Sequence, residues 1–185
     1  FDPGQDHFGV VVQHDNRGVL APAPLLRRPR HFRIAPRHVA GAPGHVEDDL
    51  AGHEVVSQGQ GGLFDVVLHP QYAQNGWIYW AYNAPGPGGW GTALARGKLQ
   101  DHRMTEVQVL FSMQPKTSLT YHFGGRIVFD KAGFVYLTLG DRGDKDRAQK
   151  MNDHAGSVIR LHDDGRVPND NPFVKRAGAL PEKWT

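Results

Sequence analysis

A short pattern of strand, turn and strand occurs twice in this sequence, and that repetition constrains the fold more than any other feature. In the first copy, residues 67–70 lead through a polar loop into the aromatic run 77–82. In the second copy, residues 127–130 lead through a tight turn into the apolar run 134–139. The runs are short and rich in aromatic and β-branched side chains, which favour strands over helices. The repetition predicts an all-β fold assembled from similar sheets.

Each copy belongs to a longer series of strands. In the first series, Asn75-Gly76 is a strong turn pair that closes a polar loop over 70–76, and no helical period separates the apolar runs. Such a series is typical of an antiparallel meander. The second series continues after a polar insertion over 144–155. Predicted strands lie at 63–69, 77–82, 92–99, 107–113, 127–130, 134–139 and 156–162.

The period of the repeat indicates the architecture. Trp77 and Phe134, which begin equivalent strands, lie 57 residues apart. This period fits one four-stranded blade of a β-propeller. A propeller closes with about four to eight blades, and about two to three are visible here, so the sequence predicts a partial β-propeller.

Residues 1–54 differ in composition from the rest of the chain. They hold six of the 11 histidines and six of the 13 prolines but no Lys, Tyr, Trp or Met. A segment with this bias and little periodicity is unsuited to a packed core. We therefore expect a poorly ordered, loop-rich segment at 1–54, with one short strand at 8–12 and mainly loop over 21–52, and an incomplete β-propeller at 55–185. The six histidines include no i, i+4 pair, which favours solvated histidines over a metal site.

Composition excludes several classes of function. Lys and Arg total 21 against 19 for Asp and Glu, and the basic residues are scattered, so no nucleic-acid partner is expected. The absence of cysteine excludes disulfides, thiolate catalysis and cysteine-ligated zinc. No apolar run is long enough to span a membrane, and no signal peptide is visible at the start of the chain.

His122 and Asp141 are the leading candidates for chemistry. His122 precedes the predicted strand at 127–130 and Asp141 follows the strand at 134–139, and a tight turn joins the two strands. Antiparallel strands joined in this way place their far ends side by side. The two side chains then have the arrangement of a general base and its orienting acid. The alternatives are a buried histidine satisfied by the backbone and an aspartate that only caps the turn around it.

Two glycine-rich stretches each have a structural and a functional interpretation. Gln60 lies between glycines that either form a turn or let the backbone approach a planar ligand. The run 86–91 formally fits a dinucleotide-binding fingerprint, but it lies between two strands and opens no helix, which favours a loop.

Two further features are interpreted structurally. The run 163–171 is rich in Asp and Asn but lacks the spacing of a calcium-binding helix-loop-helix, so a connection between strands is expected. Trp77, Tyr79 and Trp80 are interpreted as sheet packing in preference to a platform for a sugar.

Several motifs, in order along the chain, carry a resemblance to one family. The motifs are Gly59-Gln60-Gly61-Gly62-Leu63 with Asp65 and His69-Pro70, His122-Phe123-Gly124-Gly125-Arg126, Gly140-Asp141-Arg142-Gly143, residues 156–161, and Val167-Pro168 with Asp170-Asn171-Pro172-Phe173. With them, the sequence from about residue 56 to 184 resembles the pyrroloquinoline quinone-dependent aldose sugar dehydrogenases, the glucose/sorbosone dehydrogenase family, which are six-bladed β-propellers.

The resemblance implies roles for three residues. His122 matches the base that removes the proton from the anomeric hydroxyl, and Asp141 matches the acid that hydrogen-bonds this histidine. Gln60 matches the glutamine that contacts cofactor and substrate. Tyr121 stands where relatives often have an acidic or polar residue, which leaves the substrate contacts at that position open.

The resemblance also implies partners. An aldose sugar is the expected substrate, pyrroloquinoline quinone the hydride acceptor, and an external electron acceptor the final oxidant. The quinone-carboxylate clamp and the calcium ligands are expected beyond Thr185, so we expect no metal ligands in this chain and little or no activity from it alone. A periplasmic or secreted location is expected from the family.

Two alternatives stay open at this point. A non-catalytic propeller that acts as a binding or scaffold module would use His122 and Gln60 only to shape its rim. A lectin-like sugar-binding module would need the aromatic side chains of 77–82 to be exposed.

Overall fold

The computed structural model describes residues 46–50 and 53–185, which form three antiparallel sheets. The first is a hairpin of β1 (Val46–Leu50) and β2 (His53–Val56). The loop predicted over 21–52 is therefore wrong at its end. β1 pairs with β2, in which Val55 is buried against the second sheet, and such tertiary packing leaves no trace in the composition of residues 21–52. The predicted strand at 8–12 lies outside the described residues, as does most of the segment expected to be poorly ordered. The division at residue 54 stays a prediction.

The second sheet has the predicted meander. Its strands follow one another in space as they do along the chain, in the order β3-β4-β5-β6. The strands are β3 (Leu63–Leu68), β4 (Trp77–Gly86), β5 (Gly89–Gln100) and β6 (Arg103–Ser112).

Two details of this sheet differ from the sequence-based expectation. The polar stretch between β3 and β4 contains a single helical turn, α1 (Tyr72–Asn75), which ends at Gly76 with a φ of 69°. The run 86–91, expected to be a loop, belongs mostly to strands, because Gly86 pairs with Gly89 across a two-residue turn. Glycine has a low strand propensity, so the glycine content of this run favoured a loop. Cross-strand pairing nevertheless places most of these residues in strands.

The third sheet contains β7 (Gly124–Phe129), β8 (Val135–Leu139) and β9 (Val158–Leu161) in that order. Asp130 closes the β7–β8 turn, since its side chain accepts hydrogen bonds from the N–H groups of Ala132 and Phe134. Between β8 and β9 a short 3₁₀ helix occupies Lys145–Gln149. The predicted hairpin of β7 and β8 and the predicted third strand, β9, are confirmed.

The main core lies between the second and third sheets. Along β8 the buried residues alternate with half-buried ones, the two-residue period of a strand with one face on a core. The same core takes side chains from the middle strands of the second sheet. Its buried members are Tyr79, Ala81, Leu94, Phe111, Met113, Ile127, Val135, Leu137, Leu139, Ala155, Ile159 and Leu161.

The aromatic residues of β4 are packed on both faces of the second sheet. Tyr79 belongs to the main core, whereas Trp80 and Tyr82 are buried on the opposite face with Val55. Trp77 is half-buried beneath the Arg96 guanidinium, 4.2 Å from its ring centroid. The interpretation as sheet packing is confirmed. The exposure that a lectin-like module requires is missing from this strand.

The run 163–171 ties the two larger sheets together. The Asp163 carbonyl accepts hydrogen bonds from the Tyr79 hydroxyl at 2.7 Å and from Arg96 at 3.0 Å. Asp170 is engaged by Arg160 at 2.7 Å. The described part of the chain contains no cluster of three or more His, Asp or Glu side chains able to hold a metal ion. Among the same residues, no helix has the length and apolar character needed to cross a bilayer.

Candidate active site

The β7–β8 hairpin brings His122 and Asp141 together. Gly124 at the start of β7 pairs with Leu139 at the end of β8, so the residues just outside the hairpin lie side by side. His122 Nδ1 and Asp141 Oδ1 are 2.8 Å apart. The contact predicted from the strand order is present in the structure, and the chemical roles of the two residues stay predictions.

Backbone hydrogen bonds continue the hairpin past its last strand residues. The Gly140 N–H donates to the Phe123 carbonyl at 2.9 Å, and the Arg142 N–H donates to the His122 carbonyl at 3.3 Å. Gly140 is required here because a Cβ atom would collide with the His122 carbonyl. His122 itself adopts the left-handed conformation, with a φ of 55°, which is costly for a residue of its size. The hydrogen bonds of the loop therefore hold His122 in an intrinsically unfavourable backbone conformation.

Asp141 selects the tautomer of a neutral His122. Its Oδ1 accepts from the Gly143 N–H at 2.9 Å as well as contacting the imidazole. The Gly143 hydrogen bond first and the His122 contact second lower the pKa of Asp141 below its ordinary value. An ionised carboxylate can only accept, so the ring proton of a neutral His122 lies on Nδ1. Nε2 then carries the lone pair on a side chain that is 56% exposed, as a base requires.

Gln60 joins this pair from the segment that precedes the second sheet. Its N–H donates to the Thr120 carbonyl at 2.7 Å, and its side-chain Oε1 accepts from the His122 N–H at 3.0 Å. Gly59 makes the approach possible, because a Cβ atom there would strike Thr120. The amide oxygen is thus occupied by the backbone, and the amide NH₂ is the group that Gln60 offers to a ligand.

Arg142 is the residue that the sequence analysis missed. It appeared only as one letter of a motif, and arginine is among the residues least often buried. The structure buries it completely, behind the loop that carries His122. The neighbouring Tyr121 has its ring edge-on to the His122 ring at a centroid distance of 5.1 Å. No signal in the sequence marks a buried arginine at this position.

The donor set fits one half of a site for a quinone and a sugar. His122 and Gln60 are exposed, and the His122 Nε2 and the Gln60 amide NH₂ suit a hydroxyl group and a carbonyl oxygen, respectively. The carboxylates of a quinone call for cationic donors, and Arg142 does not supply one because its guanidinium is buried. Calcium has no ligand cluster within the described residues.

Comparison with known proteins agrees with the fold and the motifs. The family model described as glucose / sorbosone dehydrogenase matches residues 35–185. The aldose sugar dehydrogenase YliI of Escherichia coli is 42% identical over 135 residues, which cover 71% of this chain and 36% of that protein.

Solved structures show the same relationship. The apo-form crystal structure of the soluble aldose sugar dehydrogenase from Escherichia coli matches with a TM-score of 0.68 and 41% identity, over 70% of this chain and 38% of that one. The PQQ-bound aldose sugar dehydrogenase from Streptomyces coelicolor matches with a TM-score of 0.58 and 25% identity, over 70% and 39%.

The chain thus spans somewhat more than a third of the length of these relatives. The prediction of a partial β-propeller is confirmed by the sheets and by these neighbours. On the family match and the identity together, the chain belongs to the glucose/sorbosone dehydrogenase family.

Proposed function

We propose that this protein is an oxidoreductase that oxidises the anomeric carbon of an aldose sugar to a lactone, with pyrroloquinoline quinone as the hydride acceptor. The observation that carries the proposal is the His122–Asp141 contact of 2.8 Å at an open rim, beside Gln60, in a chain of this family. A PQQ-bound relative supports the choice of cofactor.

In this reaction the sugar loses a proton and a hydride. Nε2 of His122 takes the proton of the C1 hydroxyl, the C1–H bond breaks with its electron pair, and C1 and its oxygen form the lactone carbonyl. Pyrroloquinoline quinone, when bound, supplies the two-electron oxidant that accepts the hydride. Asp141 holds Nδ1–H and so keeps Nε2 directed at the substrate.

Gln60 contributes orientation. Because its Oε1 accepts from the His122 N–H, its NH₂ group is directed away from the backbone and can donate to a sugar or quinone oxygen. One amide therefore sets the loop conformation and aligns a ligand with the same imidazole.

The remaining parts of the site are proposed to come from outside these residues. Cations for the quinone carboxylates and the calcium ligands would lie in the portion of the fold that this chain does not span. An external electron acceptor would reoxidise the cofactor, and a periplasmic or secreted location would fit the resemblance. For the same reason, we propose that the 185 residues alone do not turn over.

Replacement of His122 by glutamine tests the proposal. In the protein at its full natural length, His122→Gln should reduce kcat by about 10²–10⁴-fold, the usual contribution of a positioned base. Quinone binding should be retained, since glutamine preserves polarity and size. Steady-state assay with a sugar and a dye acceptor gives kcat, and the absorbance of the quinone gives binding.

His102→Gln is the matched control, because His102 is an exposed histidine in the β5–β6 turn. It should behave as the unaltered protein. Unchanged turnover in His122→Gln would exclude His122 as the base. Failure of the unaltered protein to bind the quinone would instead favour a non-catalytic binding or scaffold module.

A further inference from the structure

Arg142 forms several hydrogen bonds with the loop that carries His122. Its Nη1 donates to the Tyr121 carbonyl at 2.6 Å, its Nη2 to the Leu119 carbonyl, and its backbone N–H to the His122 carbonyl. The guanidinium carbon lies 3.5 Å from the Phe123 ring centroid. Among the described residues, every hydrogen bond that Arg142 donates ends on a carbonyl between positions 119 and 122. We call residues 119–123 the base loop.

The cost of burying this cation needs an explanation. Burial lowers the pKa of Arg142 to about 10, and nearby Arg147 adds to this lowering. The guanidinium is still charged at neutral pH, because a pKa of about 10 lies well above 7. Within the described part of the chain no carboxylate lies in ion-pair range of it, and its Nε has no hydrogen-bond partner. Burying a charge costs free energy unless the charge is paired and hydrogen-bonded. Packing alone therefore gives no reason for an arginine here.

Other buried arginines differ in this respect. Arg160 also lies over a phenylalanine ring, Phe134, at 3.8 Å, but it pairs with Asp170 at 2.7 Å. Arg147 pairs with Asp153 at 2.8 Å. In Arg142 the charge-assisted hydrogen bonds go instead to two carbonyls of one loop. Such bonds are shorter and stronger than neutral ones, and the planar guanidinium fixes their direction.

We propose that Arg142 is a positioning residue for His122: its buried guanidinium locks the base loop so that the imidazole stays on Asp141. The importance of this role for activity rests on the proposed function, whereas the role itself is a property of the loop.

The conformation of His122 shows why such a lock is needed. The left-handed conformation is less favourable than the ordinary helical region for a residue with a side chain, and His122 has a φ of 55°. A base loop without its inner hydrogen bonds can relax toward the commoner conformation, which swings the imidazole away from Asp141. Gln60 restrains the loop from the open side, and Arg142 restrains it from the core. Because Asp141 and Arg142 are consecutive, one turn supplies both the acid and the lock.

Nitrogen NMR of the histidines tests the proposal without cofactor or sugar. The protein at its full natural length, labelled with ¹⁵N-histidine, should show neutral His122 as a single Nδ1–H tautomer, with its signals identified by their loss in His122→Gln. In Arg142→Met, the signals should shift toward the Nε2–H form that dominates in a free imidazole. Arg142→Lys, which keeps the charge but supplies one donor group, should recover part of the Nδ1–H form.

Arg160→Met is the matched control. It also removes a buried guanidinium from a phenylalanine ring, so it should lower stability but leave the His122 signals unchanged. In the enzyme loaded with cofactor, Arg142→Met should lower kcat roughly tenfold and change KM less than about twofold, the pattern of a lost transition-state contribution.

Three results would overturn the proposal. The first is a folded Arg142→Met protein with the His122 signals of the unaltered protein. The second is an equal change in Arg160→Met, which would make the effect one of general stability. The third is failure of both Arg142 variants to fold, which would assign Arg142 to the fold as a whole. Turnover that survives His122→Gln would remove the proposed function but leave the NMR result to be judged separately.

Discussion

At the scale of single residues, one carboxylate oxygen organises the candidate site. Asp141 Oδ1 accepts from the Gly143 N–H and from the His122 ring. The side chains of His122 and Asp141 are 56% and 32% exposed, so water screens their attraction and an ion pair between them is worth only about 0–1 kcal/mol. The main effect of Asp141 is therefore the choice of tautomer and ring orientation, and its direct contribution to stability is small.

Substitution of Asp141 by asparagine separates these effects. An asparagine NH₂ can donate to Nδ1, which moves the ring proton to Nε2 and removes the base. We expect kcat to fall by about 10²-fold or more with little change in folding. The measurement is a steady-state assay beside urea unfolding, both on the protein at its full natural length.

The pH dependence of the free energy of unfolding is a second measurement of the Asp141→Asn substitution. The pKa of Asp141 lies below its ordinary value of 3.8 in the folded protein. Its contribution is therefore present above that ordinary value and is lost as pH falls through the lowered value. Asp141→Asn should reduce this loss of stability below about pH 4.

Asp144→Asn is the control, because asparagine keeps a capping oxygen at the 3₁₀ helix. It should preserve both the activity and the loss of stability at low pH. Equal effects in the two variants would contradict the role of Asp141.

At the scale of the element, the β7–β8 hairpin determines the distance between His122 and Asp141. Its register pairs Gly124 with Leu139, and the Gly140 N–H then extends the ladder to Phe123. The Thr92 hydroxyl also donates to the Phe123 carbonyl at 2.8 Å, which anchors the hairpin end to β5. The hairpin is therefore held at its site end by groups from both large sheets.

Gly140→Ala tests the close approach at this end. The added methyl group meets the His122 carbonyl, so the two strand ends must separate. We expect a loss of about 1–3 kcal/mol in the free energy of unfolding, as for other overpacked positions, together with loss of the Nδ1–H signature of His122. Urea unfolding and histidine NMR measure the two effects.

Gly133→Ala provides the comparison at the opposite end of the same hairpin. Its Cβ would meet no atom within 4 Å, but its φ of 90° makes alanine unfavourable. This variant should lose stability while the His122 signals stay unchanged. A change of those signals in both variants would show that they report on hairpin stability instead of the local approach.

At the scale of the whole molecule, the site joins two sheets that are distant in sequence. Gln60 precedes the second sheet, and His122 precedes the third, yet the Gln60 amide reaches the His122 backbone. The shared core between the sheets holds them in this relation. Several large apolar side chains on the strands remain exposed, among them Leu63, Leu68, Val109 and Val128. Exposed apolar strands of this kind favour association between chains.

The 185-residue chain expressed alone should therefore be inactive and prone to associate. We expect no turnover with added quinone, calcium, glucose and a dye acceptor, and a mass above that of the monomer by light scattering. The protein at its full natural length, treated identically, is the control. Clear turnover by the 185 residues would show that they contain a sufficient site.

The sequence by itself determined where most strands of the two larger sheets lie, their order and the meeting of His122 with Asp141, because a two-residue side-chain period and turn residues act locally. The family motifs added Gln60 as a candidate. Only the tertiary structure decided that Gln60 turns its amide oxygen to the His122 backbone and that Arg142 is buried beneath the base loop. It also decided that β1, in a segment expected to be mainly loop, pairs with β2, in which Val55 is buried. These contacts join residues far apart in the chain or reverse the usual exposure of a residue type, and local propensity contains no information about either.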